Sequence, residues 1–266
     1  MKRTGLHFLI GLLLALRAWG AEPAVSFEQR IGADLPLTLS FRDTDGKVRP
    51  LDAWFHHKKP VVLWLGYAGC AQLCSVTSNG MVTALRQLGP SAGQDYDVIM
   101  LSIDPAETPA EAAANRAEAL GQYGRETAAA GWHYLTGDRA AIAQVAETEG
   151  FHFRYDERQR QYVHPTGFLV ATPEGKVSAY FLGVDFAPAR IADALSKARR
   201  NGLGEKVADF ALACFRGDGI GGRYGRVIWL GLACGVTGTV LALGLGVGRM
   251  LWQERRARSG VRKERG

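Results

Sequence analysis

The apolar positions of this chain fall into two kinds of pattern, and each predicts a different environment. Between about residues 27 and 200, short apolar runs alternate with amphipathic stretches. Val61 to Leu65 and Val98 to Ile103 are continuous runs, the mark of strands buried on both faces of a sheet. Leu37 to Phe41 alternates apolar and polar as a strand, and Asp43-Thr-Asp-Gly46 turns the chain into a second short one. Ser75 to Leu88 reads as a helix stopped by Gly89-Pro90. Thr108-Pro109-Ala-Glu111 combines an N-cap, a proline at the first helical position and a carboxylate three residues after the cap; it opens a helix to about Tyr123. Trp132 to Leu135 is a short strand, and Asp138 caps a helix through about Glu149. Phe168 to Ala171 and Val177 to Tyr180 form a hairpin around Pro173-Glu-Gly175, and Ala187 to Arg199 is a last amphipathic helix. Strands alternating with helices around a buried sheet predict an α/β sandwich, long enough to hold a core of its own.

The second pattern is apolar without period. Leu6 to Leu16 follows Lys2 and Arg3 and precedes Ala18-Trp19-Gly20, which reads as a signal peptide over 1–20 cleaved before Ala21; Arg17 at its edge leaves an uncleaved anchor as the alternative. Val227 to Gly248 holds no charged residue. At about 1.5 Å per residue it extends roughly 33 Å, enough to cross a bilayer core. Its glycines are common in membrane helices and poor in soluble ones. A transmembrane helix over 227–251 is expected, joined to the domain by a glycine-rich tether over 201–226, with a short helix around Glu205 to Cys214 interrupting it.

Charge then sets the orientation. The chain is net +6, but seven basic residues against two glutamates crowd the stretch from Arg249 onward. Lys2, Arg3 and Arg17 add three more positive charges, so what lies between is mildly acidic. By the positive-inside rule the tail 252–266 is cytoplasmic and the domain lies outside. The signal peptide demands the same topology. Basic character here describes a membrane flank and gives no support for nucleic-acid binding.

The chemistry concentrates in Gly66-Tyr67-Ala68-Gly69-Cys70-Ala71-Gln72-Leu73-Cys74, directly after the first buried run. If a helix starts near Cys70, the four-residue spacing puts both sulfurs on one face of its first turn, where unpaired N–H groups favour thiolate. Such a pair can exchange between dithiol and disulfide or hold a soft metal. A purely stabilising disulfide would close too short a loop to add much. A cysteine pair after a central strand and opening a helix is the thioredoxin arrangement.

With Ser102-Ile-Asp-Pro105 and Thr108-Pro109, Trp132-His-Tyr-Leu-Thr-Gly137, and His164 ahead of Phe168-Leu-Val170, the order and spacing of these motifs resemble the Sco/SenC proteins of the thioredoxin superfamily. The likeness runs from about Leu35 to Lys197; the C-terminal anchor is similar to a longer branch of that family. It implies a thioredoxin-like fold, a central mixed sheet flanked by helices. It also implies copper, as Cu(I) or Cu(II), held by Cys70, Cys74 and His164, the last on a loop just before an edge strand, where such a fold places it beside the helix start. The implied role is delivery of that copper, or of electrons, to the cytochrome c oxidase subunit that carries the copper centre. Two other roles stay open. One is a thiol–disulfide oxidoreductase, with Cys70 and Cys74 as its redox pair, that keeps oxidase cysteines reduced and works with a thiol reductase partner. The other is a redox or copper sensor. The family has proline after each motif cysteine, where this chain has Ala71 and Ser75, and Asp-His-Ser around its histidine, where this chain has Val163-His164-Pro165. Both changes alter the surroundings of ligands without removing one.

Asp104 ends a central strand near the cysteines; orienting a ligand and capping a helix are both open to it. His56 and His57 read as solvated surface, His133 and His152 as packed side chains. Cys214 is an unpaired thiol outside the domain, and Cys234 a small residue inside the expected span.

Overall fold

A computed structural model describes residues 25–55, 58–68, 73–206, 234–239, 243, 246 and 249, with the backbone alone at 73–75. The chain divides into two units, Met1–Phe215 and Arg216–Gly266. The first contains, in order, β1 (Ser26–Phe27), β2 (Ser40–Arg42), β3 (Val48–Pro50), β4 (Val61–Gly66), α1 (Leu73–Arg86), β5 (Asp97–Ser102), α2 (Pro109–Tyr123), β6 (Trp132–Leu135) and α3 (Arg139–Glu149). It continues through β7 (Phe151–His152), β8 (Arg154–Asp156), β9 (Gln161–Val163), β10 (Gly167–Ala171), β11 (Val177–Leu182) and α4 (Pro188–Ala198).

Five strands form the central sheet in the order β11-β10-β4-β5-β6. β4 pairs with β5 in parallel and β5 with β6 in parallel, whereas β10 runs antiparallel to both β4 and β11. The sheet is mixed, as expected. All residues of β4, β5 and β10 are buried, which explains why those segments are continuous apolar runs rather than alternating ones. Helix α1 packs on α2 and α4, α2 also on β6, and α4 on β10 and β11.

The helix termini follow their sequence signals. Thr108 and Glu111 form a reciprocal capping box at α2, and Asp138 accepts from the Ala141 amide at α3. Both helices end on glycines in the left-handed conformation, Gly124 and Gly150. Three expectations need correction. The run 37–41 is strand only from Ser40, because Leu37 and Leu39 instead pack partly buried against the core in a turn. β10 is an inner strand, whereas a position at the sheet edge is what would leave the His164 loop at the rim; its partners on both sides are shown by the pairing. His152 does not pack apolarly but faces carboxylates, its ring nitrogens 3.6 Å from Glu28 and 3.8 Å from Glu147.

The stretch 201–204 remains bonded to the domain: Gly204 N–H donates to Ser178 O and the Ser178 hydroxyl donates to Gly202 O. The leader 1–20, most of the tether, Cys214 and the tail 252–266 lie outside the described residues, as do His56 and His57. Most of 227–251 lies outside them too; of the second unit, residues 234–239 are helical and Cys234 is an exposed free thiol. Among the described residues no helix is long and apolar enough to cross a membrane.

One buried group runs against the core's chemistry. The Glu149 carboxyl is fully buried, and neither oxygen has a hydrogen-bond partner among the described residues. Burial therefore raises its pKa well above the usual carboxylate range. A folded-state pKa above the unfolded one gives stability that is complete below the unfolded value of 4.5 and is lost as pH rises toward the folded value. Glu149→Gln is expected to remove that loss, worth up to about 1.4 kcal/mol per pH unit. Denaturant unfolding of both proteins from pH 5 to 8 checks it; parallel stability curves would contradict it.

Candidate metal and redox site

The site lies where β4 and β5 end. β4 delivers the chain to Tyr67 and Ala68, and α1 is described from Leu73, so Cys74 falls in its first turn. Cys70 lies outside the described residues, and the shared helical face of the two sulfurs is not tested by them. Gly66 is required at the end of β4: a Cβ there would stand 2.1 Å from the Trp64 ring, which folds over it. Tyr67 then turns inward and is buried.

The antiparallel register brings the histidine to the same place. Leu169 faces Leu63, Val170 faces Val62 and Ala171 faces Val61. Followed backward, β10 meets its preceding loop beside the residues that follow β4. Gly167 starts the strand at φ 141°, where a Cβ would stand 2.4 Å from Phe181 O, so only glycine makes this approach. The His164 ring lies 6.1 Å from the Tyr67 ring, edge to face, and stacks on Phe151 at 5.7 Å and 28°. Its Nδ1 is 2.8 Å from Pro165 O. A carbonyl only accepts, so Nδ1 is the donor in this contact, and in a neutral imidazole that leaves the lone pair at Nε2, the tautomer a metal ligand needs.

The hairpin β8–β9, which sequence reasoning left unassigned, covers this corner. Tyr162 packs edge to face on Tyr67 at 5.5 Å and Phe153 packs on Tyr162 at 5.8 Å. Its signal was present: Arg154-Tyr-Asp and Gln161-Tyr-Val flank a polar turn in which Arg160 takes φ 52°. The N-terminal segment supports the other side. β1 pairs with β7, and Phe27 meets both Phe151 and Tyr180 edge to face at 5.1 Å.

Asp104 does not cap the helix that follows it. Its Oδ1 accepts from the Ala106 amide in a local turn, while Thr108 caps α2. The carboxylate that reaches the cysteine loop is Glu107. Its Oε2 accepts from the Ala68 amide at 3.0 Å and from the Ser102 hydroxyl at 2.6 Å. Burial pushes the Glu107 carboxyl up, opposed by the Ser102 and Ala68 hydrogen bonds. Nothing in the spacing of Glu107 separates it from a surface residue of a loop; only the fold shows it turned inward. His133 stands apart, its ring 6.3 Å from Trp54. Among the described residues no group of three metal-ligating side chains is preassembled.

The stack on His164 generates a prediction. Phe151→Leu removes rings from Phe27, Phe153 and His164 together and is expected to cost about 2 kcal/mol. It also removes the ring current over the imidazole. Unfolding curves and the His164 imidazole resonances check both, and unmoved resonances would contradict the stacking.

Comparison with known proteins agrees with this fold. The family model for SCO1/SenC matches residues 33–200. No curated protein sequence matches the chain. Solved structures share the fold. A candidate electron transfer protein of Aquifex aeolicus VF5 is 22% identical over 65% of this chain and 96% of its own, with a TM-score of 0.56. Arabidopsis thaliana ScoI, in a copper-bound form, is 19% identical over 65% of this chain and 99% of its own, with a TM-score of 0.51. BsSco, described as a Sco-family cytochrome c oxidase assembly protein with a disulfide switch, is 20% identical over 65% and 98%, with a TM-score of 0.50. With well over half of its length matched by the family model, the chain belongs to the SCO1/SenC family.

Proposed function

We propose that this protein binds one copper ion through Cys70, Cys74 and His164 and supplies it to the copper centre of a cytochrome c oxidase. The observation that carries the reading is the register of β10 on β4, which sets the His164 ring 6.1 Å from Tyr67, three residues ahead of Cys70. Two thiolates and an imidazole suit Cu(I) in a trigonal site, and Cu(II) accepts the same set with a further ligand. The Nδ1 contact to Pro165 O orients the imidazole for coordination through Nε2. Family membership supports the role, as do a copper-bound relative and a relative that assembles cytochrome c oxidase.

The reading includes a place. The domain is exported by the signal peptide at 1–20, tethered through 201–226 and anchored by a single pass over 227–251, with the basic tail in the cytoplasm. The site then works at the outer face of the bacterial plasma membrane, where the oxidase subunit that receives copper presents its own ligands.

The test is copper binding by the full-length chain with its thiols reduced. One equivalent is expected in the parent protein, and Cys70→Ala, Cys74→Ala or His164→Ala is expected to abolish stoichiometric copper. A His164→Ala protein with full affinity and an unchanged copper spectrum would overturn the ligand assignment. A thiol–disulfide oxidoreductase would instead show activity toward oxidised oxidase cysteines with no copper present.

A further inference from the structure

The carboxylate under the cysteine loop has no part in the ligand set, yet its position is unusual. Glu107 belongs to the loop between β5 and α2, where neighbouring polar residues are used locally: Asp104 on Ala106, Thr108 and Glu111 on each other. Glu107 alone of these turns inward. Its Oε2 is held by the hydroxyl of Ser102, itself wholly buried at the end of β5, and takes the amide of Ala68. Its second oxygen is buried as well. Ala68 is separated from Cys70 by one residue, so whatever holds the Ala68 amide acts two positions ahead of the first sulfur. A hydrogen bond to a carboxylate is stronger than one between neutral groups, and this one costs the burial that pushes the carboxyl up.

We propose that Glu107 is the positioning residue of the cysteine loop. Tied down by Ser102, it grips the Ala68 amide and sets the path of the chain into Cys70 before any ligand or oxidant arrives. This deepens the copper reading, on which it rests for the role of the two sulfurs as ligands, but the restraint acts on dithiol exchange as well. The disulfide itself restricts the loop; the dithiol has no such restriction and depends on Glu107 for its order. Removing the grip therefore frees the dithiol more than the disulfide and favours the reduced form. It also costs copper the preorganised loop.

The experiment equilibrates the full-length chain with glutathione disulfide and glutathione. The Cys70–Cys74 dithiol is oxidised to the disulfide as one glutathione disulfide is reduced to two glutathione thiols, with no metal present. Glu107→Ala is expected to shift this equilibrium toward the dithiol about tenfold, which for a two-electron couple is about 30 mV. Glu107→Gln keeps a carbonyl oxygen for the Ala68 amide and is expected to return the equilibrium to within about threefold of the parent. Ser102→Ala removes one of the two ties and is expected to give a shift between these, which keeps the test open if Glu107→Ala fails to fold. An unchanged equilibrium in folded Glu107→Ala and Ser102→Ala proteins, with lowered Tm alone, would show a merely structural role and overturn the proposal. A Gln variant shifted as far as the Ala variant would overturn it too, since charge rather than grip would then be responsible. Absence of copper binding by the parent chain would sink the copper reading while leaving this measurement intact.

Discussion

The pairing of β10 against β4 is the constraint on which the rest of the site depends. β4 is the middle strand of five, buried along its whole length on both faces, so a slip of one residue would exchange the side chains packed on its two sides and break the close packing of both. Because β5 runs parallel to it and β10 antiparallel, the end of β4 meets the end of one neighbour and the beginning of the other. The loop after β4, the loop after β5 and the loop before β10 therefore converge at one end of the sheet. Cys70 and Cys74 follow the first, Glu107 sits on the second and His164 on the third. Topology does the gathering.

The same end of the sheet shows how buried polarity is distributed. Glu107 is only half-buried and has partners; Glu149 is fully buried and has none among the described residues. At the opposite end of β5, Asp97 is nearly as enclosed, yet Lys59 reaches it at 2.7 Å. Burial of an acid can thus act through a raised pKa, a paired cation or donated hydrogen bonds, and the domain shows one of each. Of the three, only the donated bonds at Glu107 reach the loop carrying the cysteines.

Much of this was legible in the sequence, for identifiable reasons. Doubly buried strands have continuous apolar runs, so β4, β5 and β10 stood out, and the capping box at Thr108 and Glu111 marked α2 to the residue. The short elements β1, β7, β8 and β9 did not stand out, because two or three residues carry no measurable period. Asp104 and Glu107 illustrate the harder limit. Both are acids in one loop after a central strand, and spacing favours the one nearer the strand. Which of them turns inward is decided by Ser102 and Ala68, a choice made by tertiary contact and invisible in composition.

The clasp of Phe27 on Phe151 has a consequence for the order of events in the life of the chain. Phe27 is among the first residues of the domain to be made, but the strand it pairs with, and the imidazole stacked beyond that strand, come only after α3. A half-made domain can hold both cysteines while it still lacks the third side of the site. Contacts this distant in sequence close late, since the loop entropy between them must be met first. The chain is thereby timed: the corner that carries His164 is complete only once nearly all of the domain has been synthesised and the sheet has zipped shut.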